Sequence, residues 1–172
     1  MQSVFRRIWI IKAGLIVLGL VSLVACGTAR TGDIQNYEDL NRLVNSGEFQ
    51  IENDWANPIG GTNINLIGNT NYIRFKKDSV EIFLPYFGVR HTGGGYGNTG
   101  GIKYDGLSKN MEINKKPEKK KVEISFDGTQ DGENLEFYIS LFSNGNTTTS
   151  VNSSQRSSIS YQGNLSSLEE EE

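Results

Sequence analysis

One histidine and one cysteine bound the chemistry open to this 172-residue chain. A Ser-His-Asp triad would have to use His91, which opens a glycine-rich run from His91 to Gly101, and no Gly-x-Ser-x-Gly elbow accompanies it. The run also lacks the Lys-Ser/Thr pair of a phosphate loop, and its flanks read as strands, with no helix N-terminus to receive an anion. A lone imidazole and scattered carboxylates give no ligand spacing for zinc, which leaves only a calcium ion held by backbone carbonyls as a metal alternative. A carboxylate-pair hydrolase would need two of Asp54, Asp78 and Asp105 side by side, and nothing in their spacing brings any two together. No catalytic residue, metal site or cofactor is expected.

Cys26 is different, because its surroundings specify one reaction. Arg6, Arg7 and Lys12 precede it, no acidic residue does, and an apolar run from Ala13 to Ala25 leads into it. That run has the length of a signal-peptide core and is too short for a bilayer span. The junction Leu23-Val24-Ala25-Cys26-Gly27 resembles the lipobox of bacterial lipoproteins, where a small residue precedes a cysteine whose sulfur takes a diacylglyceryl group before cleavage. Residues 1–25 are therefore expected to be a removed export signal, and Cys26 the lipidated first residue of the mature protein. One acyl chain binds a bilayer only marginally, at about 0.8 kcal/mol per methylene, so two or more make the attachment lasting.

Loss of the leader takes the 17 basic residues to 14 against 20 acidic ones, a formal charge of −6. Bulk attraction to nucleic acid is not expected. With its only thiol acylated, the domain has no disulfide and must be held by its core.

The elements follow from periodicity. Residues 26–33 read as the lipidated cysteine and a small, polar linker, and residues 34–166 as a single domain. Asn36 predicts an N-cap, Glu38 and Asp39 a first helical turn, and Tyr37, Leu40, Leu43 and Val44 an apolar stripe ended by Gly47. Thereafter the period is two, through Phe49 and Ile51, Ile73 and Phe75, Val80 to Leu84, Ile102 and Tyr104, Met111 and Ile113, Val122 to Phe126, Leu135 to Leu141, Thr147 to Val151, and Ser158 to Leu165. Turns are expected at Lys77-Asp78, Asp127-Gly128, Asp131-Gly132 and Asn144-Gly145. The reading is a mainly β chain, an antiparallel meander of about eight strands. It forms a strongly curved sheet or barrel with one short N-terminal helix packed against it; a two-sheet sandwich is the alternative. Residues 167–172 read as an acidic, solvated tail.

Several longer motifs resemble a family. Phe49 to Gly61 (Phe-Gln-Ile-Glu-Asn-Asp-Trp-Ala-Asn-Pro-Ile-Gly-Gly), Asn65 to Asn69, Leu84-Pro85-Tyr86-Phe87-Gly88, Gly101 to Gly106 and Arg156 to Gly163 are similar to Bacteroidetes lipoproteins grouped as the domain of unknown function DUF4251. The resemblance spans nearly all of the mature chain. It implies a Gram-negative envelope lipoprotein and carries no activity with it. Surface display in such lipoproteins goes with acidic residues soon after the cysteine; residues 27–32 contain none, so the periplasmic face of the outer membrane is expected.

Two functions remain in view: a non-catalytic module binding a small or apolar envelope ligand, or a structural lipoprotein docking an envelope protein or glycan. The candidate ligand site is Tyr86, Phe87, His91 and Tyr96, because Pro85 ends a strand there and the adjoining loop has six glycines in eleven residues. The alternative for Trp55, Phe83, Tyr86, Phe87, Tyr96 and Tyr104 is plain core packing. The lysines Lys115, Lys116, Lys119, Lys120 and Lys121 read as edge protection, with anionic headgroups as the competing partner.

Overall fold

The computed structural model describes residues 34–92 and 100–168. The expected signal, Cys26, the linker, Tyr96 and residues 169–172 lie outside the described residues.

Helix α1, Tyr37–Ser46, starts and stops where the residue chemistry requires. The Asn36 side chain accepts from the backbone N–H of Glu38 and Asp39 at 2.9 and 3.0 Å and donates to Asp39 at 2.8 Å, so two N–H groups without intrahelical partners are satisfied. Gly47 then turns left-handed at φ 70°, and a Cβ there would stand 3.3 Å from the Lys77 backbone. Leu40 and Val44 are buried, and the helix packs on β1, β7 and β8.

The strands are β1 Glu48–Pro58, β2 Ile64–Asn65, β3 Tyr72–Lys76, β4 Ser79–Pro85, β5 Gly101–Leu107, β6 Lys109–Lys116, β7 Lys121–Gln130, β8 Glu133–Phe142, β9 Asn146–Ser153 and β10 Ile159–Ser167, with a 3-10 turn at Pro117–Lys119 between β6 and β7. All belong to one antiparallel sheet in the order β5-β4-β3-β1-β10-β9-β8-β7-β6, with the short β2 beside β1. The first and last strands pair along their length, Phe49 opposite Ser167 through Pro58 opposite Ile159. Around the ring the strands therefore follow chain order. The barrel is open only between β5 and β6, which are consecutive in sequence. The expected curved sheet is this nearly closed barrel; among the described residues it has ten strands where about eight were expected, and no second sheet forms a sandwich.

The seam corrects one expectation. Asp127-Gly128, read as a turn, lies inside β7, and the Tyr104 ring of β5 lies against Gly128 across the gap. A Cβ at Gly128 would fall 2.7 Å from Tyr104 Cε2, so the glycine is there for ring contact. On the neighbouring edge Asn110 adopts φ 53° and the β6–β7 register shifts between Lys109 and Glu112. Ile113 still pairs with the buried Ile124, but on an open edge it is left 47% exposed.

Inward side chains from every long strand but β6 form one core. Its centre is a run of rings. Phe49 stacks on Phe75 at 4.4 Å, Phe75 meets Phe126 edge-on at 5.9 Å, Phe126 stacks on Phe137 at 4.8 Å, and Tyr104 reaches Phe137 at 6.2 Å. The step from Phe75 to Phe126 crosses from β3 to β7, four strands away around the seam, so the rings bridge the interior from wall to wall. Each such pair adds about 0.5–1.5 kcal/mol beyond the area it buries.

Candidate functional site

The residues marked by sequence lie at the end of the barrel where β4 finishes and β5, β8 and β10 begin. β4 ends at Pro85, Tyr86 N–H makes one more bond to the Gly100 carbonyl at 3.0 Å, and the chain then runs back along residues 155–158. His91 N–H donates to the Gln155 carbonyl at 2.8 Å, Ser157 N–H to Val89 at 2.9 Å, and Arg90 pairs with Arg156 as an isolated bridge. Tyr86 closes this segment. Its ring is half-buried against the core, and its hydroxyl is shared between the Val89 and Ser157 carbonyls, 2.9 Å from each. A Cβ at Gly88 would lie 2.3 Å from that hydroxyl. Phe87 is 42% exposed, and His91 holds Ser157 Oγ at 3.1 Å through Nε2. Tyr86 and His91 thus meet on one segment, both engaged with 155–158, while Tyr96 lies outside the described residues.

Sequence reasoning missed the charges beneath them. Arg156 grips Glu133 with two bonds, Nε to Oε1 at 2.8 Å and Nη2 to Oε2 at 2.9 Å, and Nη1 donates to the Gly101 carbonyl at 2.9 Å. The two side chains are 7% and 6% exposed. Arg156 also lies 5.2 Å over the Tyr86 ring, Ser153 Oγ donates to Glu133 Oε1, and Arg90 bonds Gln155 at 3.1 Å and approaches Glu133 at 3.7 Å. Burial pushes the Glu133 carboxyl upward, but the hydrogen bonds from Arg156 and Ser153 and the charges of Arg156 and Arg90 outweigh it and leave the group below its usual range. Deeper still, the fully buried Tyr161 donates to the Pro85 carbonyl at 2.8 Å, and desolvation drives its phenol far above the ordinary value. Only a lone, turn-flanked arginine and a glutamate after Asp131-Gly132 hint at this in sequence; nothing pairs them.

The arrangement is a latch joining the end of β4 to β5, β8 and the approach to β10. The His91–Ser157 contact supplies one leg of a triad, yet among the described residues no carboxylate orients the ring and both partners lie near the surface. Among the described residues no three His, Cys, Asp or Glu side chains gather to hold a metal. Because the Tyr86 hydroxyl is already engaged, Tyr86→Phe is expected to lower stability by about 0.5–1.5 kcal/mol, read from urea denaturation. An unchanged midpoint would mean that the bonds to Val89 and Ser157 contribute nothing.

Fold and site together define a class: a helix-bearing antiparallel barrel, open at one seam, with a run of its own rings through the core and locked at one end by a buried ion pair. The chain belongs to the family described as Domain of unknown function (DUF4251), which matches residues 32–165. A DUF4251 family protein from Bacteroides eggerthii DSM 20697, whose crystal structure was determined at 1.95 Å, is similar in fold, with a TM-score of 0.58 and 17% identity over 77% of this chain and 88% of that one. No curated protein matches the chain.

Proposed function

We propose that this chain is a lipid-anchored envelope protein whose barrel binds a partner on its outer surface and catalyses no reaction. The carrying observation is the run of five rings through the interior, Phe49, Phe75, Phe126, Phe137 and Tyr104, which occupies the space a carrier would keep for an apolar ligand. Between the two readings left by the sequence, this favours docking to an envelope component over carriage of a small apolar one. The anchor is Cys26, and the absence of acidic residues from 27–32 favours the periplasmic face of the outer membrane.

Two measurements test this. Organic extraction of the purified protein followed by mass spectrometry is expected to give no stoichiometric noncovalent lipid; finding one would overturn the outer-surface reading. Cys26→Ser is expected to abolish incorporation of radioactive palmitate in growing cells and to stop normal processing, and undiminished label on the variant would remove the anchor.

A further inference from the structure

Trp55 stands where simple alternation would not put it. In β1, Phe49, Ile51 and Asn53 are buried, so a regular strand would turn residue 55 inward as well. The register shifts between Asn53 and Trp55, because Asp54 is inserted as a bulge. Ala56 becomes the buried residue and Trp55 the outward one, 39% exposed. A bulge that aims a tryptophan at solvent needs a reason beyond folding.

The outer surface beside it is unusual in composition. Reading across the register, Trp55 is followed by Gln162 on β10, Thr148 on β9 and Ser140 on β8. The next row holds Ser160, Ser150 and the half-exposed Tyr138, and the row on the other side holds Asn164 and Asn146. Hydroxyls and amides cover this stripe of three strands without a formal charge. Of these, Asn146, Thr148, Gln162 and Asn164 line a concavity of about 580 Å³ together with Trp55, Phe142 and the charged Asp54, Lys119 and Lys120. A second hollow of about 290 Å³ shares Thr148 with it and continues past Ser140 and Tyr138. At that far side Glu123 is matched by Lys116 and Lys121 at 3.2 and 2.5 Å, and Glu112 also lines the hollow. Asn164 Nδ2 donates to Asp54 Oδ2 at 2.7 Å, which fixes the carboxylate and leaves its second oxygen to accept.

We infer that this face is a binding site for a neutral oligosaccharide, with Trp55 as the stacking platform and Asp54, Gln162, Asn164 and Thr148 as polar contacts. The inference rests on the outer-surface reading above and names its ligand class. A pyranose ring presents an apolar C–H face and a rim of hydroxyls that both donate and accept. The first matches an indole face; the second matches amides, a fixed carboxylate and threonine hydroxyls. An acyl chain would bury this polar floor unpaired, which is unfavourable. From β1 to β8 the stripe spans three strand spacings, about 14 Å, room for more than one sugar ring.

The test uses the full chain in a polyoxyethylene detergent, which carries no sugar. It is titrated calorimetrically with cellohexaose, maltoheptaose, xylohexaose, mannohexaose and chitohexaose, and with polygalacturonate and heparin as anionic comparisons. Of the two tryptophans, Trp9 lies in the leader expected to be removed, and with or without it the fluorescence difference between wild type and Trp55→Phe isolates the indole in the groove. At least one neutral oligomer is expected to bind and to perturb that difference signal. Trp55→Ala is expected to weaken it about thirtyfold with an unchanged circular dichroism spectrum, and Gln162→Ala by a smaller factor. Binding by none of the neutral oligomers, binding by the anionic polymers alone, or equal affinity in the folded Trp55→Ala variant overturns the inference. Those outcomes leave the outer-surface reading standing, since only a lipid extracted from the barrel removes it.

Discussion

Gly163→Ala is expected to destabilise the barrel more than any other single substitution proposed for this chain. Gly163 lies on β10 opposite Asn53, at the point where the β1 bulge begins. A Cβ there would fall 2.0 Å from the Glu52 carbonyl oxygen, 2.5 Å from Asn53 Cα and 2.8 Å from the Glu52 carbonyl carbon. All three are backbone atoms, so no rotamer change relieves the clash; β1 and β10 must separate. That pairing joins the first and last strands and is what closes the ring there. It is also braced by Asn71, whose Oδ1 accepts from Asn53 N–H at 2.8 Å and Nδ2 at 3.0 Å and whose Nδ2 donates to the Asn53 carbonyl at 2.9 Å, and opening the strands would strain this buried network. The loss should exceed about 4 kcal/mol, a size reserved for changes the structure cannot absorb. Gly132→Ala is the control. It sits in a turn at φ 77° with open space around its Cβ position, and is expected to lose only about 1–2 kcal/mol. Urea denaturation of the two variants compares them directly, and a Gly163→Ala protein as stable as Gly132→Ala would refute the argument.

The same place shows how far the sequence could be read. The helix was legible because its signals are local: Asn36 caps it and Gly47 ends it. Most strands were legible because burial alternates along them. What a period of two cannot reveal is an interruption of itself. Asp54 carries no mark of a bulge, so the outward turn of Trp55, and with it the groove, emerges only once β1 is paired with β10. Asp127-Gly128 misled for a related reason. The dipeptide is a turn former by local chemistry, yet its glycine answers to Tyr104, which approaches from across the seam. The candidate site was half legible. Pro85 and the glycines pointed to the segment carrying Tyr86 and His91, but Glu133 and Arg156 are joined only by the fold, and no propensity records a contact between residues on different hairpins.

That ion pair carries the second large effect. Arg156→Ala is expected to lower stability by about 3–5 kcal/mol, because it leaves the Glu133 carboxylate buried with Ser153 and the more distant Arg90 as its remaining partners. It also frees the Gly101 carbonyl that Arg156 Nη1 satisfies, and so loosens the start of β5. Arg156→Lys should recover little, since an ammonium cannot hold both carboxylate oxygens and that carbonyl in one plane. Replacing both partners, as in Glu133→Leu with Arg156→Met, should cost less than Arg156→Ala alone, because no charge is then stranded. The pH dependence fixes the sign. Glu133 is held below its reference value of 4.5 in the folded protein, so its contribution is fully present above that value and is lost as pH falls through the folded one. The stability difference between wild type and Glu133→Gln, measured by urea denaturation, should therefore be largest near neutrality and shrink as the solution is acidified below about pH 4. A difference that stayed constant across that range would show that the carboxylate's charge is not what the latch depends on, and that Arg156 acts there through its bond to Gly101 and its contact with the Tyr86 ring.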